Sequence, residues 1–379
     1  MRNIPHFLII LIFLSYAQIL RSHEAFTPSN KDKAAQFLDH RAELWLNFPR
    51  AQQYVEGENQ TVSCFACHTT HTYTAVRPLL PGPGSQNDRI FDNIRRRIVA
   101  GLGVPPFHSE PAGRTAESRG VEAVNTSYLL ALKEAREGGK TPSPLLTTAL
   151  ERLWLYQRAD GGWDFFNFKF EPLATTESQH FTACLAAIAV GQAPGYYGPG
   201  AKVSPAVEPH VALLRAWLKK SRNPANLFGE AWLLQASVHL DGLLTAEEKA
   251  AVITKLLAAQ NQAGDTKGSW TLYYLNQWKY SEAAPPAQPR DLNPEVFKPD
   301  GYATGLITFS LLEAGVPAAD PALASAVQWL IRNQREDGSW RAYSLNKNRD
   351  EKTDPAFWWM SDEATAWAAR ALLRAADTN

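Results

Sequence analysis

The chain is poor in sulfur and carries no net charge. Its 379 residues include three cysteines and two methionines, and 38 basic residues balance 38 acidic ones. So few cysteines exclude a disulfide-stapled scaffold. Without a basic field the sequence offers nothing to nucleic acid or to an anionic surface, and no nucleic-acid partner is expected. The apolar run Phe7 to Leu14 is too short to span a bilayer. It follows Arg2 and precedes Ser15-Tyr16-Ala17, a small-x-small cleavage pattern, so residues 1–25 read as a secretory signal. The expected mature chain, residues 26–379, is a single domain without a transmembrane helix, exported across the inner membrane to a periplasm. Aromatic residues are plentiful: 12 Trp, 17 Phe and 12 Tyr point to an aromatic interior or pocket in a chain long enough for a large core.

Two of the three cysteines lie in Cys64-Phe65-Ala66-Cys67-His68, the C-x-x-C-H pattern of covalent c-type haem attachment. On one face of a helical turn both thiols reach the vinyl groups of one porphyrin, and His68 is the expected ligand of the haem iron. Other chemistry fits the same two thiols: a short-loop disulfide, or half of a zinc site whose remaining ligands are missing because Cys184 is far away in sequence. Export favours haem c, which bacteria attach outside the cytoplasm.

The rest of the chain repeats itself. Gln157-Arg158-Ala159-Asp160-Gly161-Gly162-Trp163 and Gln334-Arg335-Glu336-Asp337-Gly338-Ser339-Trp340 share the pattern Q-x-x-D-G-x-W, and a looser copy runs from Gln262 to Trp270. Gly turns the chain after a helix, while Gln and Trp tie the helix end to its neighbour. Helical apolar spacing alternates between two kinds of segment. Segments with bulky aliphatics and charges read as outer helices: 31–48, 87–102, 145–157, 207–219, 246–260 and 321–333. Segments rich in Ala, Thr, Gly and aromatics read as inner ones: 64–80, 121–137, 177–190, 226–240, 300–314 and 361–375, with Pro78 ending or kinking the first. About six pairs at a period near 60 residues can close into a barrel. The expected fold is therefore all-α, an (α/α)6 barrel with the C-x-x-C-H motif at its first inner helix.

Those repeats make residues 141–379 resemble the α/α-toroid superfamily of squalene-hopene and oxidosqualene cyclases and protein prenyltransferase β-subunits. The resemblance implies a central cavity but leaves the reaction open, because one fold hosts many functions. Class II cyclases protonate an alkene with the middle aspartate of D-x-D-D-T-A. The matching segment here, Pro299 to Gly305, keeps Asp300 and Thr304 but puts Tyr302 at the proton donor, a phenol whose ordinary pKa is about 10. Neither D-x-D-D nor the metal-binding D-D-x-x-D occurs, and the prenyltransferase Asp-x-Cys zinc ligands have no clear counterpart. Ordinary cyclase activity is not expected.

The same helical position carries His180 and Glu363 in other repeats. With Tyr302 they are the candidate catalytic proton handlers, expected to face one cavity mouth beside Glu230, Asp300 and Asp362. Helix capping is the competing role for the acids. Long aromatic loops, 163–176, 270–299 and 340–360, frame that mouth, the Pro-rich end of the second reading as a lid or stiff linker. Closing the ring brings Met360 near His68 as a candidate sixth ligand, against His180, His108 or an open position, with His71 poorly placed. The leading expectation is an exported haem c protein, exchanging electrons with a redox partner protein or oxidising a bulky apolar substrate. An isoprenoid or other lipid is implied by the resemblance alone. The alternatives are a non-catalytic toroid holding a lipid or a protein partner, and a divergent cyclase using Glu363 as its acid.

Overall fold

Helix-start chemistry marks the elements first. Thr27, Ser143 and Asp320 each precede a proline and accept a backbone N–H from the first turn, while Thr245 and Glu248 form a reciprocal capping box. The protein, seen in a computed structural model, is described at residues 25–55, 60–64, 68–108, 114–198, 201, 207–278 and 291–378. The expected signal, apart from Ala25, lies outside the described residues, as do Cys67 and residues 285–290 of the Pro-rich segment. Among the described residues none forms a helix long and apolar enough to cross a membrane.

Twelve α-helices are described: α1 (Pro28–Leu46), α2 (Thr70–Val76), α3 (Asn87–Val99), α4 (Arg114–Arg136), α5 (Pro144–Leu155), α6 (Ser178–Gln192), α7 (Glu208–Ser221), α8 (Leu227–His239), α9 (Ala246–Ala258), α10 (Gly301–Glu313), α11 (Pro321–Arg332) and α12 (Trp359–Asp377). Even-numbered helices pack in a closed cycle, α2 on α4, α6, α8, α10, α12 and back to α2. Odd-numbered helices lie outside them. Burial follows composition: α9 buries only Val252 and Leu256, a single stripe, whereas α10 is buried from Gly301 through Leu312. Small residues make the inner contacts close. A Cβ at Gly305 would fall 2.4 Å from the backbone nitrogen of Ala368, so α10 and α12 meet backbone to backbone there.

The repeat motif is the joint between outer helices. Trp163, Trp270 and Trp340 are fully buried, each indole N–H donating over 2.8 Å to a carbonyl of the preceding outer helix, at Leu153, Leu256 and Leu330. Gln157, Gln260 and Gln334 donate both to their own turn, at Gly161, Gly268 and Gly338, and to the start of the next outer helix, at His210, Ala322 and Asn30. The middle copy therefore begins at Gln260, not at the expected Gln262, because only Gln260 makes this bridge. Gly338 has φ of 86°, and a Cβ there would strike the backbone of Lys33 at 2.3 Å. The last motif thus docks on the first outer helix.

The first inner helix is the exception to regularity. A two-stranded antiparallel hairpin, β1 (Gln52–Val55) and β2 (Gln60–Ser63), precedes it and was not expected. Cys64 continues the hairpin: its N–H donates to Ala51 at 2.7 Å, and its carbonyl accepts the Trp45 indole N–H at 2.6 Å. Those bonds hold its backbone out of helical geometry, so α2 starts only at Thr70 and passes into a 3-10 turn at Arg77, before Pro78. The expected helical setting of Cys64 and His68 is corrected accordingly.

Candidate functional site

A cavity of about 370 Å³ opens at the N-terminal ends of the inner helices, within the roughly 300–1,000 Å³ span of small-molecule and cofactor sites. Its walls come from distant parts of the chain. The segment after Cys64 supplies His68 and His71, the loop after Trp163 supplies Phe165, Phe166, Phe168 and Phe170, and the first turn of α12 supplies Trp359, Met360 and Glu363. Two clamps hold these parts together. Asp362 takes a bidentate pair from Arg41 at 2.7 and 3.1 Å and the Thr69 hydroxyl at 2.5 Å, fixing α12 against α1 and the residue after His68. Asn346 bonds the backbone of Glu171 in both directions at 2.8 and 2.9 Å, stitching the phenylalanine loop to the loop before α12.

His68 lies flat beside Trp359, the rings 5.9 Å apart and 10° from parallel. Its Nδ1 is buried without a hydrogen bond, and the nearest carboxylate oxygen, Glu363 Oε1, is 3.7 Å away. Burial, then the charge of Arg349, lowers its pKa to about 4, so the imidazole is neutral at pH 7. His71 stacks on Tyr128 at 5.2 Å and leaves a buried Nε2 unpartnered. Burial, Arg370 and His68 bring it down to about 3. His108 packs edge-to-face with Phe166 and Phe168, and burial followed by Arg114 lowers its pKa too. Three neutral imidazoles and one thioether therefore line one aromatic cavity without converging on a single point, so each could serve a bound metal centre only singly.

Glu363 is 2% exposed, its Oε2 accepting the Trp367 indole N–H at 3.1 Å. Burial drives its pKa well above the usual carboxylate range. Met360, 5% exposed, precedes it by one helical turn. His68, Met360 and Glu363 are thus brought together.

The other two candidates do not line that cavity, which corrects the expectation of one shared mouth. His180 lines a second, polar cavity of about 250 Å³ with Trp217, Ser221 and Asn226. Its Nδ1 bonds the Ser221 hydroxyl at 2.9 Å, and burial, then Arg222, lowers its pKa to about 4. Tyr302 lines neither cavity. It is fully buried near Phe228 with its hydroxyl unpartnered, and burial, then the neighbouring Glu363 and Asp300, push that hydroxyl well above its ordinary pKa. The recurring threonines explain the shared pattern: Thr304 and Thr365 accept the backbone N–H of Trp270 and Trp340. The alignment marks a structural joint.

The neighbouring acids are also committed. Asp300 caps α10, accepting from Ala303 at 2.8 Å and from Leu272 at 2.7 Å, while burial raises it to about 7. Glu230 is held through both oxygens by Arg222 at 2.8 and 2.9 Å. Sequence reasoning placed Trp359 in a loop framing the mouth but missed Trp45 as a cavity wall and discounted His71. The available signal was aromatic residues placed where the first and last repeats must meet. Among the described residues no group of three His, Cys, Asp or Glu side chains is placed to hold a metal ion by itself. No protein-family model and no curated protein matches the chain.

Proposed function

We propose that this chain is an exported c-type haem protein on an (α/α)6 toroid of the terpenoid-cyclase type. The observation that carries the reading is the position of His68. The histidine of the only C-x-x-C-H motif lines the aromatic cavity, and burial keeps it neutral. The closed cycle of inner helices and the motif joints support the toroid.

What supports the group is that His68 and an aromatic wall share one cavity. Cys64 and Cys67 would hold it by thioether bonds and His68 would ligate its iron, with the phenylalanine loop and Trp359 as its apolar surroundings. Haem supplies one-electron chemistry when bound. The chain's own part is to hold His68 unprotonated, to exclude water with the phenylalanine wall, and to present Met360, His71 and His108 as further side chains that could ligate the iron. Arg349, over Phe170 and paired with Asp354 at 2.7 Å, sets positive charge at the cavity edge. Trp45 and Trp359 line both this cavity and an outer groove, so their rings are the wall between cavity and surface. That thin wall supports electron exchange with a partner protein.

A bulky apolar substrate, an isoprenoid among the options, would use the same phenylalanine wall. A cyclase-like use of Glu363 is the weaker reading, since its oxygens face Trp367 and His68. The test is the chain matured in a periplasm with haem-attachment machinery, denatured, separated and stained for peroxidase activity. A stained band is expected. A colourless one overturns the proposal.

A further inference from the structure

We infer that Glu363 is the positioning residue of His68: its Oε1 accepts the His68 Nδ1 proton, leaving Nε2 as the nitrogen turned to the iron. This rests on the haem reading and assigns Glu363 a different task from proton delivery to a substrate. His68 Nδ1 is buried, has no hydrogen bond, and has one carboxylate oxygen near it, at 3.7 Å. A shift of about 0.5–0.8 Å, within reach of side-chain rotation, completes the bond and relieves an unpaired buried polar group. Ring rotation is restricted by Trp359, which lies nearly parallel to the imidazole.

The carboxyl is itself held in place. Its second oxygen takes the Trp367 N–H at 3.1 Å, and Trp367 is packed edge-on to Trp232 at 5.0 Å and against Phe309 at 5.7 Å. One residue earlier, Asp362 grips Thr69 while Arg41 grips Asp362. Consecutive acids of α12 therefore reach consecutive residues of the motif segment, Asp362 to Thr69 and Glu363 to His68. Metal-bound histidines commonly donate their second ring N–H to a carboxylate or carbonyl oxygen, which fixes the ring and raises ligand basicity, and a carboxyl that burial keeps protonated still accepts through its carbonyl oxygen. A more basic ligand stabilises ferric over ferrous iron and lowers the reduction potential.

Midpoint potentials of the haem-loaded full chain, from spectroelectrochemical titration of wild type, Glu363→Ala, Glu363→Gln and Trp367→Phe, test this. Glu363→Ala is expected to move the ferric–ferrous equilibrium about tenfold toward ferrous, about 59 mV for one electron. Glu363→Gln keeps an acceptor oxygen and moves it less, in the same direction. Trp367→Phe removes the competing donor, makes the carboxyl a better acceptor for His68 and moves the potential the opposite way. Loss of packing alone gives no such pair of opposite signs. The inference is overturned if Glu363→Ala matches wild type, or if Trp367→Phe and the Glu363 variants move together. Should Glu363→Ala not accumulate, the Gln and Phe variants, close to native volume, still report the signs. A colourless wild type is a separate outcome, which removes the haem reading and this inference with it.

Discussion

His68 and His180 are both buried, and burial brings both to a pKa of about 4, yet their surroundings differ in kind. His180 spends its Nδ1 on Ser221 at 2.9 Å in a polar cavity whose walls are mostly side chains able to hydrogen-bond. His68 faces an aromatic cavity with its Nδ1 unpartnered and a carboxylate waiting at 3.7 Å. A lowered pKa therefore does not single out a site. What distinguishes His68 is an unmet bond, because buried polar groups are normally satisfied and an exception calls for a ligand or a rearrangement.

The sharpest way to break this contrast is at the anchors. In a Cys64→Ala, Cys67→Ala double variant, haem staining of the denatured band is expected to vanish, whereas His180→Ala should stain like wild type. Equal staining in all three would end the distinction between the two cavities.

Next in size is the response of stability to losing each imidazole. His180→Ala strips the Ser221 hydroxyl of its partner and is expected to cost about 1–3 kcal/mol in urea unfolding, with the visible spectrum unchanged. His68→Ala, in haem-free protein, removes an imidazole that makes no hydrogen bond through Nδ1. Its cost should be the smaller of the two, and its effect should appear in the haem spectrum of loaded protein. A reversal of that order would mean that His68 is structural and His180 functional.

A smaller effect concerns acid. For His68, His71 and His180 the unfolded chain takes up protons that the folded chain refuses, since their folded values lie below 6.5. Their contribution to stability is complete above pH 6.5 and is lost as pH falls toward about 4, or about 3 for His71. Asp300, raised to about 7, runs the other way: its contribution is complete below the ordinary carboxylate range and is lost as pH rises toward 7. His71→Phe, measured by chemical unfolding at steps between pH 7 and 4, should flatten the acid-side loss. A slope as steep as wild type would show that His71 is already protonated in the folded cavity.

The last expected effect is nil. Tyr302 is sealed in the interior and lines neither cavity, so squalene should return unchanged from incubation. Hopene-like products that disappear in Glu363→Gln would make the aromatic cavity a cyclase site.

The helices were largely legible because their signals are local. Charge spread along α9 against a single terminal Glu313 in α10 forecast one buried stripe against a wholly buried face, and the expected 321–333 and 300–314 fall within a residue or so of the observed helices. The first inner helix was the failure. Apolar spacing over 64–80 satisfied a helical period, but the bonds from Cys64 to Ala51 and Trp45 outcompete a helical start, and no periodicity count includes a strand partner.

The site divides along the same line. By itself the sequence determined which side chains carry chemistry and where each sits along its helix: the C-x-x-C-H motif, the recurring position of His180, Tyr302 and Glu363, and the Gln and Trp of the joints. Such features depend on residue type and on spacings of a few residues, which a linear text preserves. Only the tertiary structure decided which of them meet. Helix rotation about its own axis sends Glu363 toward His68, buries Tyr302 against Phe228 and gives His180 to Ser221. That rotation is set by close backbone approaches such as Gly305 to Ala368 and by clamps such as Asp362 to Arg41 and Thr69. Each joins segments far apart in the chain, and their geometry exists only once the ring of helices has closed.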